Sequence, residues 1–256
     1  MPEPVKAFKV DALSIRVYRD AGELSLAAAA DVRDFLAESI DRHGAARVIL
    51  ATGNSQLKFL DDLARLGGVD WSRITCFHMD EYLSIGADHP ASFIRYMHER
   101  VESRVRPGAF HFLHGDARDS AMECERYAAL LREEPIELCC LGVGENGHLA
   151  FNDPPDADFD DPVLVKQVPL DEANRRQQFG YGHFKSMEEV PRFGLTLTIP
   201  ALCAARKVIC LAPGSAKAQI IRRVLHDPIG PACPATCLRT QKQATLLLAA
   251  DAAALL

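Results

Sequence analysis

LCCLGVGENGHLAFNDPP, residues Leu138 to Pro155, is the stretch whose reading decides the fold. Gly142, Gly144 and Gly147 satisfy the pattern G-x-G-x-x-G directly after an apolar run. A dinucleotide-binding fingerprint of that form must open the helix of a βαβ unit, with an acidic residue ending the next strand. Here HLAFNDPP follows, and Pro154 and Pro155 end any helix within about two turns. The run also lies beyond the middle of the chain, after several strand–helix units. The glycines therefore read as shape. They permit positive φ and close backbone approach, so that a tight turn holds His148 over a ligand. Asn146, Asn152 and Asp153 lie close by, and a carboxylate at 153 can orient or polarise the imidazole.

Outward from this stretch, apolar strand-like runs alternate with helical ones. LSIRVYRD (13–20), ARVILATG (46–53), RITCFHMDEY (73–82), FHFLHG (110–115), PIELCCLGVG (135–144) and KVICLAPG (207–214) read as strands. PIELCCLGVG is nearly unbroken in its apolar character, as a central parallel strand buried on both faces should be. The stretches between them read as helices. One starts at Asp20 and stops at Gly44, another runs from Asn54 towards Gly67, a third has Pro90 near its first turn, and others cover 120–134 and 215–227. This alternation predicts an α/β fold: an open, mostly parallel sheet with helices on both faces, a Rossmann-like three-layer arrangement. One domain covers 1–256. Residues 153–192 break the alternation, being polar, acidic and rich in proline, and they read as a lid.

Ligands of open α/β sheets bind beyond the carboxyl ends of the strands. Four polar strand ends stand out: TGNS (52–55), HMDEY (78–82), GENGH (144–148) and PGSAK (213–217). Strand alternation sends Asp80 and Glu81 to opposite sides, so one faces the cleft and can act as a base while the other makes structural bonds, and Glu81 is a candidate for binding the ligand. His78, Asp80 and Glu81 carry metal-ligand chemistry, but no partner cluster has ligand spacing, and no metal is expected. The turns at Gly53, Asn54 and Ser55 and at 213–217 suit phosphate, which binds backbone N–H groups and a helix dipole. Lys217 adds a point charge, and Arg176 offers a fork for phosphate oxygens.

Composition sets the outer limits. The 256 residues carry a net charge of −6 and 48% hydrophobic residues, which fits a globular protein and gives no support for nucleic-acid binding. The start, MPEPVKAFKV, has no apolar core of a signal peptide, and LSLAAAADV is too short and too charged to span a bilayer. The eight cysteines lie mostly in apolar runs, and Cys233 and Cys237 are too far apart for C-x-x-C. A reducing cytoplasm with free thiols is the expectation. The expected partner is a small phosphorylated ligand, with neither nucleic acid nor membrane, and a homo-oligomer is compatible with the sequence.

The sequence at this point resembles the glucosamine-6-phosphate deaminase (isomerase) family, related to the 6-phosphogluconolactonases, over nearly its whole length. ATGNS matches the phosphate loop, FHMDEY the general-base motif, GVGENGHLAFNDPP the signature, ANRRQQF the lid segment and PGSAKA the second phosphate motif. The resemblance implies that a hexosamine 6-phosphate becomes a keto-sugar phosphate with release of ammonia. It implies Asp80 as the base for C2–H, His148 for ring opening, Asp153 in place of a supporting Glu, and Asn146 beside it. Phosphate would fall to Ser55, Arg176 and Lys217, although NSQ replaces the usual turn. Such chemistry needs neither metal nor nicotinamide. The galactosamine epimer, a lactonase-type hydrolase and a non-catalytic sensor remain alternatives. The residues 156–166 carry Asp156, Asp158, Asp160 and Asp161 with Lys166 as the nearby cation, so hyperbolic kinetics without activation by an N-acetylated sugar phosphate are expected.

Overall fold

Side chains that alternate between two buried faces along the central strands show how the layers form. In the computed structural model, which describes residues 1–154, 157–180 and 182–256, Ile49, Phe77, Cys139, Leu141, Cys210 and Leu246 pack on one face of the large sheet. Val48, Leu50, Cys76, Leu138, Cys140, Ile209 and Leu247 pack on the other. Both faces are apolar, so both must be covered, and helices cover them.

The strands of this sheet are β1 (Lys6–Val10), β2 (Leu13–Tyr18), β3 (Ala46–Leu50), β4 (Ile74–His78), β6 (Ala109–His111), β7 (Leu138–Gly142), β10 (Lys207–Ala212) and β11 (Ala244–Ala249). Their order is β1-β2-β11-β10-β7-β3-β4-β6. Only the β1–β2 pair is antiparallel. Helices α1 (Ala21–His43) and α2 (Asn54–Leu66) bury Leu24, Leu36, Phe59 and Leu63 on one face. Helices α5 (Ser120–Arg132), α7 (Ile199–Cys203) and α8 (Ala218–His226) bury Tyr127, Leu202, Ile221 and Val224 on the other. Each such side chain withdrawn from water contributes roughly 1.5–3 kcal/mol. The expected three-layer α/β sheet is therefore the fold. From β3 the chain steps outward to β4 and β6, then returns to β7 and steps the other way to β10 and β11. The switch point lies between β3 and β7.

The helix ends follow local chemistry. Asp20 caps α1 by accepting from the N–H groups of Gly22 and Glu23, and Gly44 ends it at φ 81°. Asp119 caps α5 through Ala121 and Met122. Two expected boundaries differ. The helix expected near Pro90 begins later, as α3 (Phe93–Met97) capped by Ser92, and continues through a π turn (His98–Glu102) into α4 (Ser103–Val105). RITCFHMDEY is not one strand. The large sheet keeps residues up to His78, while Asp80–Tyr82 forms β5 of a second sheet.

That second sheet, ordered β5-β9-β8, is antiparallel and joins β5 to β9 (Phe193–Leu197) and β8 (Val165–Pro169). The segment expected as a lid thus holds β8 and helix α6 (Glu172–Gly180). An aromatic cluster of Tyr82, Phe93, Phe151 and Phe184 packs around this sheet. Pro155, Asp156 and Tyr181, within the expected lid, lie outside the described residues. All eight cysteines are free thiols, and among the described residues no helix is long and apolar enough to cross a membrane.

Replacing Asp119 by Ala removes two side-chain hydrogen bonds at the start of α5, which follows the edge strand β6. We expect a loss of about 1 kcal/mol in urea unfolding, with turnover unchanged.

Candidate active site

The carboxyl ends of β3, β4, β7 and β10 enclose a cavity of about 440 Å³ beside the switch point. Each of the four polar strand ends singled out in the sequence contributes to its lining.

After β7 the chain opens no helix. It folds back through a turn in which Gly144 N donates to His148 O (3.0 Å) and Gly147 N donates to Gly144 O (3.1 Å). The imidazole lies on the backbone of Gly144, where a Cβ would stand 2.2 Å from ring atoms Cε1 and Nε2. Gly147 has φ 92°, and a Cβ there would meet Cys233 Sγ at 2.7 Å. The glycines of the opening stretch therefore shape a support for His148. Asn146 Oδ1 accepts from His148 N (3.0 Å), and Asn146 Nδ2 donates to Asp153 Oδ1 (3.0 Å). That same carboxylate oxygen lies 2.9 Å from His148 Nδ1, an ion-pair contact whose angle falls outside hydrogen-bond geometry. The shorter Asp side chain thus reaches the imidazole directly. Asn152 is structural: its Nδ2 donates to the carbonyls of Leu149 and Leu197 (2.8 Å each).

Asp80 opens β5 and lines the cavity, only 6% exposed. Its Oδ1 is buried without a hydrogen-bond partner among the described residues. Burial, and then the charge of Glu81, holds its carboxyl well above the usual carboxylate range. Glu81 points the other way, as alternation requires, and does not line the cavity. Its carboxylate accepts from Tyr82 N (2.8 Å), Phe93 N (3.1 Å), Ile94 N (3.0 Å) and Ser92 Oγ (2.7 Å). Burial pushes its carboxyl up to about 7 against the pull of these four donors. The ligand-binding role expected for Glu81 is thus corrected, because its oxygens are occupied in fixing the start of α3. His78 is fully buried in the core, its Nε2 accepting from Leu113 N at 2.8 Å, and burial lowers its pKa to about 3. Among the described residues no group of three His, Cys, Asp or Glu is placed to hold a metal ion.

The two phosphate-type turns differ from the capped helices. Gly53, at φ 101°, starts α2 with no side-chain cap, and Gly214, at φ 92°, does the same for the turn Ser215–Lys217 that leads into α8. Gln56 N donates to Gly53 O (3.0 Å), and no side chain caps the N–H groups of Asn54 and Ser55. Asn54, Ser55 and Lys217 line the cavity, and burial lowers the Lys217 pKa. Arg176 does not line it. Two positions along one helix are about 200° apart, so while Gln178 faces the cavity, Arg176 points outward and pairs with Glu172. Sequence reasoning missed Tyr96, whose hydroxyl donates to Gly53 O (3.0 Å) at the cavity wall, and His183 from beyond α6. Nothing local marks either residue, because each reaches the cavity only through tertiary packing.

The fold and cavity define an open α/β protein with its functional site at the sheet's switch point. Residues 19–247 match the model of the family described as glucosamine-6-phosphate isomerases/6-phosphogluconolactonase. The glucosamine-6-phosphate deaminase of Listeria innocua is 34% identical over 207 residues, covering 81% of this chain and 86% of the relative. That of Lactobacillus delbrueckii subsp. bulgaricus is 31% identical over 245 residues, covering 95% and 100%. The solved structure of a monomeric glucosamine-6-phosphate deaminase superposes with a TM-score of 0.87 at 29% identity, covering 94% of this chain and 99% of that one. A 6-phosphogluconolactonase from Shewanella baltica, at 21% identity and TM-score 0.77, covering 96% and 99%, shares the fold. The chain belongs to the glucosamine-6-phosphate isomerase/6-phosphogluconolactonase family and is an enzyme of it.

The raised Asp80 carboxyl has a consequence for stability. A group with a raised folded pKa binds more protons folded than unfolded. Its stabilisation is complete at acid pH and is lost as pH rises from the ordinary carboxylate range towards the raised value. Asp80→Asn removes that loss. Its melting temperature should exceed the wild type's by a few degrees near about pH 8 and converge with it only below about pH 4, under the ordinary carboxylate pKa. A variant that melts lower at the alkaline end would contradict the assignment.

Proposed function

We propose that the enzyme converts glucosamine 6-phosphate and water to fructose 6-phosphate and ammonia. The observation that carries this reading is the buried, partly unpartnered Asp80 carboxylate in the same cavity as the His148–Asp153 pair. Its relatives named as glucosamine-6-phosphate deaminases, at 31–34% identity, support the substrate.

His148, held on Gly144 and charge-stabilised by Asp153, moves the proton of the anomeric hydroxyl to the ring oxygen and opens the pyranose. Asp80 then takes the proton from C2. The pair of electrons left behind forms the C1–C2 double bond of an enolamine, and the C1 oxygen takes the proton that the C2 ammonium gives up, leaving a hydroxyl on C1 and the amine on C2. Return of a proton to C1 gives the imine at C2, water adds there, and ammonia leaves. One carboxylate serves both carbons because they are adjacent. The substrate's ammonium group beside Asp80 favours the ionised base and offsets its desolvation. The 6-phosphate sits on the free N–H groups of α2, Ser55 and Lys217, and this remote binding energy holds C1 and C2 against the base. Asn146 ties the His148 backbone to Asp153. The segment around α6 closes over the enolamine and excludes water. We assign no phosphate role to Arg176.

Asp80→Asn should lower kcat on the order of a hundred-fold or more while leaving substrate binding largely intact. Coupled detection of ammonia and fructose 6-phosphate, run beside phosphogluconolactone hydrolysis and with the galactosamine epimer, tests the reaction. Lactone hydrolysis without ammonia release would overturn it.

Lys217→Ala should raise KM roughly ten-fold or more with a smaller fall in kcat. Glucosamine without phosphate should be a very poor substrate. Equal turnover of the two sugars would remove the phosphate site.

A further inference from the structure

Gln56 is a polar residue in the apolar stripe that α2 turns to the core, one helical phase with Phe59, Leu60 and Leu63, and it is 0% exposed. Its Nε2 donates to Leu141 O (3.3 Å) and to Ser55 Oγ (3.2 Å). Leu141 lies one residue past the last β3–β7 pair, Leu50↔Cys140. There β3 has risen away into the turn before α2, and the Gln56 amide bonds where the ladder stops. A carbonyl oxygen can only accept, so the contact with Leu141 fixes which end of the amide is nitrogen. The second N–H is thereby aimed at Ser55. Gln56 Oε1 is buried and has no partner among the described residues.

This arrangement sets the polarity of a hydroxyl at the cavity wall. A serine oxygen that accepts from Gln56 keeps its own proton for another acceptor. Reversed, the amide oxygen would draw the serine proton inward and turn lone pairs towards the cavity, which suits an anion poorly. We infer that Gln56 is a positioning residue that holds the Ser55 hydroxyl as a donor towards the phosphate of the substrate. The first glycine of the signature belongs to the same unit. A Cβ on Gly142 would stand 3.1 Å from Gln56 Nε2 and 3.2 Å from Ser55 Oγ, so only glycine leaves both groups where they are. The inference rests on the phosphate site proposed above.

The test is competitive inhibition by inorganic phosphate together with steady-state kinetics of the full chain. Gln56→Met keeps the bulk and loses the N–H. It should raise the phosphate Ki and the substrate KM together by roughly ten-fold, with kcat within about three-fold. In a Ser55→Ala background the same change should have no further effect on either, because the hydroxyl it orients is gone. A merely structural glutamine would weaken binding equally in both backgrounds, or would leave Ki unchanged and lower only the melting temperature. Either result overturns the inference. Where Gln56→Met does not fold, Gly142→Ala displaces the same pair with the amide intact and should raise Ki by a similar factor. An unchanged Ki in that variant counts against the assignment. Failure of the underlying phosphate site gives a different pattern: inorganic phosphate does not inhibit the wild type, and Ser55→Ala has no effect.

Discussion

A carboxylate taken out of water and left without a full set of partners is the constraint around which this molecule is arranged. Asp80 gains nothing structural from its position. Its neighbour Glu81 receives four donors, while Asp80 lines the cavity with its Oδ1 buried and without a hydrogen-bond partner among the described residues. Two adjacent carboxyls can be buried in this way only if the chain around them is firmly held. The small sheet and the cluster of Tyr82, Phe93, Phe151 and Phe184 supply that hold. The strand break at Met79 follows from the same need. β4 ends in the large sheet, Met79 O accepts from Leu197 N, and Asp80 starts anew against Thr196. The carboxylate thus sits on the seam between two sheets.

The opposite wall is built by a different device. His148 is placed by removing atoms: a missing Cβ at Gly144 lets the ring lie on the backbone, and Asn146 and Asp153 complete its surroundings. The wall proposed for phosphate also depends on absences, since no side chain caps the starts at Gly53 and Gly214. Preorganisation of this kind is laid down during folding, so little rearrangement is required when ligand arrives. Its cost is visible in the buried Lys217 and in the raised carboxyls.

Much of this was legible in the sequence because it rests on short-range pattern. Apolar runs and their caps gave the sheet, Asp20 and Gly44 bounded α1, and the prolines after His148 ruled out a dinucleotide helix. The strand ends named the cavity's main residues. What was hidden depends on contacts far along the chain. No glycine or proline interrupts the chain from Ile74 to Tyr82, so nothing local shows that the strand changes sheets at Met79. Glu81 caps a helix more than ten residues further on, and only the folded chain brings Ser92 to it. VKQVP reads as lid and is a strand, because its partner β9 lies beyond α6. Arg176 and Gln178 differ in helix phase, which the cationic run RR conceals. Gln56 was visible as a polar residue in an apolar stripe, but its partner Leu141 was not.

The seam at Met79 has an evolutionary reading. Between β8 and β9 the chain makes a single excursion, from Pro169 to Phe193, and both ends are anchored in the sheet that carries Asp80. The excursion lies within the crossover from β7 to β10, but the β8–β9 pairing closes it off, so insertions, deletions or exchanges inside it need not disturb the register of the eight-stranded sheet. This portion of the molecule, which lends Gln178 and His183 to the cavity, can therefore diverge in length and composition while Asp80 and His148 stay in place. A lineage could remodel which sugars are admitted, or how long they are retained, by editing one contiguous stretch of its gene.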